Sequence, residues 1–288
     1  YNPAWRWKFL TCPVDKFESH LKWLRRFGFS SISLEQLYNY IFNNNQIPPK
    51  SIILTFDDGY LDNWIYAYPL LKKYGFKGVI FINPEFVDSR PIKRTRMDQV
   101  EDGQELETCG FLSWDEVRAM EQDGIMDIQS HAMTHTWYPV SNKIVDFRHP
   151  CDPYIWMSWN QDTANKPYLQ IENEHEIRLG TPVYEHDKAL SKPIFFNDPL
   201  LSEHLVEYVK ENGTEHFFYQ KDWRKLLYHQ VEEYVSQNLI SERIESIPEY
   251  SSRILWELKS SKEIIEYQLN KKVEFLCWPG GSATTTGR

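Results

Sequence analysis

Two adjacent carboxylates and two imidazoles stand out as residues whose types and spacing could do chemistry. Ser51-Ile52-Ile53-Leu54-Thr55-Phe56-Asp57-Asp58-Gly59-Tyr60 is an apolar run that ends in two aspartates and a glycine. Ser130-His131-Ala132-Met133-Thr134-His135 places two histidines four residues apart. An apolar run of this length predicts a strand buried on both faces. Two charges at its end cannot remain in a core unpaired, so the strand must deliver Asp57 and Asp58 to a cleft, a cation or water. On a helical turn, a four-residue spacing puts His131 and His135 on one face. Two imidazoles and one carboxylate leave coordination positions open, which suits zinc or a similar divalent ion with a bound water. Successive strand residues point in opposite directions, so the aspartates divide the work. One ligates the ion; the other reaches round the turn at Gly59 as a base. Taken singly, an Asp-Asp-Gly is most often a turn, and a pair of histidines at this spacing is most often a surface pair. Their joint occurrence, each at the end of a predicted strand, is much less easily accidental.

The elements that must position these residues alternate. Pro13 to Phe27 is an amphipathic helix with Val14, Phe17, Leu21 and Leu24 on one side, ended by Gly28. A short strand over 30–33, a helix over 34–42 and the strand Ile52 to Phe56 follow. Asp62 to Tyr74 is a helix closed by Gly75, and Gly78 to Ile82 is a buried strand. Strand, helix and strand in so short a span predict a βαβ unit with a parallel sheet. Asp88 to Gly110 has no period and is read as a surface loop. Ser113-Trp114-Asp115-Glu116 is a capping box that opens a helix to Asp123, and Ile125 to Gln129 is a third strand ending at the histidines. Functional side chains of parallel α/β folds sit at the C-terminal ends of strands, where both motifs fall.

Beyond the histidines, 136–199 reads as irregular and rich in Trp, Tyr, Pro, Asn and Asp. Helices are predicted over 199–212, 219–237 and 241–270, the last interrupted at Pro248. Val273 to Trp278 is a final strand, closed by Pro279-Gly280-Gly281. Trp137, Tyr138, Tyr154, Trp156, Trp159, Tyr168 and Tyr184 could stack on sugar rings, but the core of a subdomain is the favoured reading. The tail Ser282–Arg288 is too short to complete an α/β fold, so residues are expected to be missing after Gly281 and beyond Arg288.

Composition narrows the partners. The 288 residues fit one large α/β domain or two small ones. A net charge of −9 argues against a nucleic-acid partner, which demands a basic patch. The scattered Cys12, Cys109, Cys151 and Cys277 have no zinc-ribbon spacing and read as free buried thiols. No apolar run reaches transmembrane length and no signal peptide is seen. The chain begins at Tyr1, so this says little about compartment.

The two motifs, Thr55-Phe56-Asp57-Asp58-Gly59-Tyr60 and Ser130 to His135, resemble the first two motifs of the polysaccharide deacetylase family (carbohydrate esterase family 4). Phe275-Leu276-Cys277-Trp278-Pro279-Gly280-Gly281 resembles its third, which lines the substrate groove. The resemblance spans about residues 1–135 and 272–281. It implies a distorted (β/α) barrel, here with a large, mostly helical insertion over about 136–271 in a single catalytic domain. It also implies a metal-dependent hydrolase removing N-acetyl groups from amino sugars of a polysaccharide or glycan precursor. Asp58, His131 and His135 would bind the metal, with zinc preferred and cobalt, nickel or manganese as alternatives. Asp57 would be the general base. Tyr60, through its backbone N–H, with Trp278, Pro279 and Gly280, would contact substrate. The substrate would be an N-acetylated polysaccharide or oligosaccharide; the location is left open, an extracytoplasmic or envelope one being favoured over the cytoplasm. The oligomeric state is left open. In the position of the arginine with which many relatives orient the base stands Cys277. The later motifs, which supply a general acid, are not found; His149, His175 and His186 are candidates, though each reads more readily as a surface histidine. The alternative functions are a catalytically impaired glycan-binding or scaffold protein and a related amide hydrolase of small substrates.

Overall fold

A computed structural model of the chain describes residues 12–101, 104–169 and 177–281. Its contacts divide it into two compact units. The first holds residues up to His135 together with Trp256–Pro279, and the second is built on Thr136–Leu255. His175 and the tail 282–288 lie outside the described residues.

The first unit alternates helix and strand: α1 (Val14–Arg26), β1 (Ser30–Ser31), α2 (Leu34–Asn43), β2 (Ser51–Ile52), β3 (Thr55–Asp58), α3 (Tyr68–Tyr74), β4 (Gly78–Ile82), α4 (Trp114–Gln122) and β5 (Met126–Ser130). β1 pairs β2, and β3, β4 and β5 lie side by side, every pair parallel. The apolar spacing of α1 buries Leu21 completely, worth about 1.5–3 kcal/mol for such a side chain. All five residues of β4 are buried, and its first, Gly78, is closely packed. A Cβ at Gly78 would stand 3.0 Å from Phe56 and from Met126, and 3.1 Å from Leu71, so strand and helix close up over it.

The expected strand over 52–56 is two short strands instead. β3 is at the edge of its sheet and is not buried on both faces, since Thr55 and Asp57 are exposed and Phe56 and Asp58 partly so. The run of apolar residues overstated its burial because an edge strand needs cover on fewer sides. The helix after Asp62 begins with a wide π turn over Asn63–Ala67 before α3. The final strand shrinks to a single parallel bridge between Leu276 and Ser130.

The loop over 88–110 is not a plain surface excursion. Arg94 is buried and forks onto the fully buried Glu116, Nη2 to Oε2 at 2.6 Å and Nε to Oε1 at 2.9 Å. Its Nη2 also donates to the Phe111 carbonyl. Glu116 is at the same time the third residue of the capping box that starts α4, accepting from the Ser113 amide at 2.9 Å. One carboxylate thus caps a helix and ties down a loop.

The second unit carries β6 (Trp137–Phe147), α5 (Ile155–Gln161), β7 (Pro182–Lys188), β8 (Phe195–Phe196), α6 (Pro199–Glu211), α7 (Trp223–Gln237) and β9 (Arg243–Ile244). Here the expectation of an irregular stretch over 136–199 is corrected, while most of the unit's residues in regular elements are helical. β6 is eleven residues long and pairs antiparallel with β7. Its register shifts between Pro139 and Ile144 and again before Asp146. Those bulges break the period of two that marks a strand in sequence. Leu201, Leu205 and Val209 of α6 pack with Leu227 of α7, Phe217, Trp223 and Phe147. Of the seven aromatics named above, Trp156 and Tyr184 are buried and the other five are partly exposed. The division between the units falls within α8 (Ile247–Leu269). Pro248 lies in its first turn, where a missing N–H costs nothing, so the helix starts there and is not interrupted.

Replacing Arg94 by alanine leaves Glu116 buried without its cation. The expected cost is about 3–5 kcal/mol, read as a lower urea midpoint at unchanged slope. A midpoint within error of the parent's would show that the pair is dispensable.

Candidate metal centre

Strand register brings the motifs into one row. Asp58 is level with Ile82, Ile82 with Ser130, and Ser130 with Leu276. The residues at these positions and just beyond are therefore neighbours despite their distance in sequence. The amide of Ser130 donates to Phe275 and its carbonyl accepts from Cys277 at 3.0 Å.

Asp58, His131 and His135 converge. Each imidazole places its Nε2 3.4 Å from Asp58 Oδ1, and the ligand atoms all lie within 4.8 Å of one another. His131 is buried, while Asp58 and His135 are partly exposed, so the cluster is open on one side. Asp58 Oδ1 itself is buried and has no hydrogen-bond partner. Ligands about 2.0–2.1 Å from a tetrahedral ion stand about 3.3–3.4 Å apart. The spacing, the nitrogen and oxygen donors and the orphaned oxygen all fit a divalent cation.

The backbone is bent to achieve this. Asp58 sits at φ 68° and Gly59 follows at φ 72°. Aspartate tolerates the left-handed region better than most residues, at some cost. A Cβ at Gly59 would press on Ile82 at 3.1 Å. The expected helical turn at the histidines is absent. Ala132 has φ 61° and His135 φ 41°, so a left-handed loop, and not a helix face, brings the two rings together.

Each functional side chain is held by a second group. His131 Nδ1 lies 2.7 Å from the Cys277 carbonyl, which aims Nε2 at Asp58. The Tyr60 hydroxyl bonds to Asp58. Burial first, then that charge, pushes the phenol far above its usual range. Its ring stacks on Phe111 at 5.1 Å. This side-chain role was not read from the sequence, where Tyr60 was assigned through its amide.

Asp57, exposed, takes its bond from the Cys277 thiol. Burial, then the Asp57 and Asp58 charges and that bond, pushes the thiol up to about 11. A neutral donor therefore stands where an arginine was expected from related sequences. Of the third motif, Trp278 is half-buried, Pro279 is buried, and Gly280 is exposed at φ 73°.

His149 and His186 belong to the second unit. His149 lies against Trp223 and 3.7 Å from Asp146; His186 packs on Trp156 at 4.9 Å. All four cysteines are free, and Cys12 and Cys151 are exposed, not buried as expected.

Residues 44–176 match the family model described as polysaccharide deacetylase. The match covers under half of the chain, and over that stretch the chain is similar to the polysaccharide deacetylases. A Bacillus subtilis (strain 168) protein named "Putative polysaccharide deacetylase YxkH" is 31% identical over 126 residues, covering 44% of this chain and 38% of that protein. The poly-beta-1,6-N-acetyl-D-glucosamine N-deacetylase of Escherichia coli (strain K12) is 27% identical over 131 residues, 45% of this chain and 18% of that protein. The chain thus spans well under two thirds of these curated relatives. A solved de-N-acetylase from Aggregatibacter actinomycetemcomitans superposes with a TM-score of 0.56 at 20% identity, covering 100% of this chain and 74% of that one. The fold is α/β, of the (β/α) barrel type of the polysaccharide deacetylases.

With its thiol titrating near 11, Cys277 stays protonated at pH 7.5. Alkylation there should label the exposed Cys151 far faster than Cys277, and Cys277 labelling should rise steeply as pH approaches 11. Peptide mass spectrometry reads both; equal rates at pH 7.5 would place the thiol elsewhere.

Proposed function

We propose that this chain carries a metal-dependent hydrolase that removes N-acetyl groups from N-acetylglucosamine residues of a polysaccharide. One observation carries the reading. Asp58 keeps a buried oxygen without a hydrogen-bond partner, 3.4 Å from each of two imidazole nitrogens. The name of the E. coli relative supplies the polymer class. Zinc is the proposed ion, with cobalt, nickel and manganese as alternatives, and Asp58, His131 and His135 would hold it. When bound, the ion supplies Lewis acidity to the amide carbonyl and to water.

The chain's own residues do the rest. Asp57 accepts the proton of the attacking water at its carboxylate. The Cys277 thiol, donating to Asp57, holds that carboxylate toward the water it must deprotonate. His131 is kept in one tautomer and orientation by the Cys277 carbonyl. The Tyr60 amide is assigned to the oxygen that becomes negative as the carbonyl is attacked. Trp278, Pro279 and Gly280 are assigned to the sugar. The insertion in the catalytic domain is proposed over about 136–271, and the site of action as extracytoplasmic or in the cell envelope.

Acetate release from N-acetylglucosamine oligomers, with and without chelator, tests the activity. Release that stops with chelator and returns with added zinc is the expected result. No metal-dependent release from any such polymer would favour the glycan-binding scaffold. Asp57→Asn should lower turnover by about 10²–10⁴-fold while metal stays bound. Asp58→Asn and His131→Ala should lose the metal. Metal lost from Asp57→Asn instead would reverse the division between the aspartates.

A further inference from the structure

The segment between the two histidines forms no helix, so its polar backbone must be satisfied from elsewhere. Asn83, fully buried directly after the end of β4, donates to the carbonyls of His131 and Ala132. The amides of Met133 and Thr134 both donate to Glu257 Oε2, each at 3.0 Å. The Thr134 hydroxyl donates to Glu257 Oε1 at 2.5 Å. Glu257 is 1% exposed and stands more than 120 residues further along, on α8. Four residues on, Ser261 meets Ser130 through hydroxyls 2.8 Å apart. Four more on, Ile265 is fully buried in the core of the same unit. One face of a helix, at a four-residue repeat, thus runs along the base of the histidine loop.

We propose that Glu257 is a positioning residue that fixes the loop carrying His131 and His135 in metal-binding geometry. This rests on the metal site proposed above. The carboxylate takes three of the four donors lying between the two histidines, the Ala132 amide going to Ser130 Oγ at 3.2 Å, and its backbone bonds hold a loop whose Ala132 and His135 are left-handed. Burial pushes the Glu257 carboxyl upward, and the donors of Thr134 and Met133 pull it back toward the charged form. Without the carboxylate, two amides and a hydroxyl lose their acceptor, and the loop relaxes toward water. The histidines then cease to be preorganised, and the ion must pay their ordering when it binds.

Zinc titration calorimetry on the metal-free full chain tests this, alongside hydrogen exchange across 131–135 and circular dichroism. Glu257→Ala should weaken zinc by about 10–100-fold and speed exchange at Met133 and Thr134. Glu257→Gln, which keeps one side-chain acceptor, should lie between it and the parent. Glu263→Ala, an exposed change on the same helix, should match the parent in both readouts. A folded Glu257→Ala with the parent's zinc affinity overturns the positioning role and leaves the metal site standing. A parent that binds no zinc, cobalt, nickel or manganese overturns both. Should the alanine variant fail to fold, the isosteric glutamine variant decides: weaker zinc at an unchanged melting profile supports the role, and unchanged affinity overturns it.

Discussion

The chemistry of this protein depends on a carboxylate that its own fold leaves incompletely satisfied. Asp58 is drawn inward far enough to bury one oxygen, and nothing in the described residues donates to it. A buried acceptor without a donor costs about 1–3 kcal/mol, and more when it carries charge. The left-handed backbone at Asp58 adds strain to that cost. Proteins retain such arrangements where something else completes them, and two imidazole nitrogens at equal distance name a divalent cation as the natural completion. A polar pair that merely stabilised the fold would have closed to hydrogen-bond distance.

Everything around Asp58 reads as a means of holding that gap open. Parallel register sets the ends of β3 and β5 level with the third motif, so three sequence-distant stretches meet in one row. Glycines close the packing where no side chain fits: Gly78 between strands and helix, Gly59 against Ile82. The histidines come from a loop, which lacks the repeating backbone bonds of a helix or strand to keep it in place. Asn83 and Glu257 hold it instead. Metal affinity in such a site is as much a property of these holders as of the ligands.

The two aspartates differ in the company they keep. Asp58 is bonded by a phenol and faces two imidazoles. Asp57 is exposed and bonded by a thiol. An arginine beside a base would lower its proton affinity through a full positive charge. A neutral thiol orients the carboxylate without that charge. Cys277 also serves through its carbonyl, which fixes the tautomer of His131. One residue therefore touches both halves of the divided pair.

Much of this was legible in the chain itself. Asp57, Asp58, His131 and His135 were recognisable because their side-chain chemistry is local and their spacing is fixed along the backbone. The capping box at Ser113, the α1 stripe and the buried β4 were legible for the same reason. What sequence could not decide was long-range or aperiodic. The bulges of β6 erased its alternation, and the histidine loop has the spacing of a helix without its dihedrals. The edge position of β3 is a fact about neighbours. Arg94 with Glu116, Tyr60 with Asp58 and Glu257 with Thr134 are pairings that no local pattern announces. The sequence by itself determined which groups can do chemistry, because residue type is all that requires. Tertiary structure alone decided which oxygen stays unpartnered and which helix holds the loop. Those are set by packing and register between segments that the chain keeps far apart.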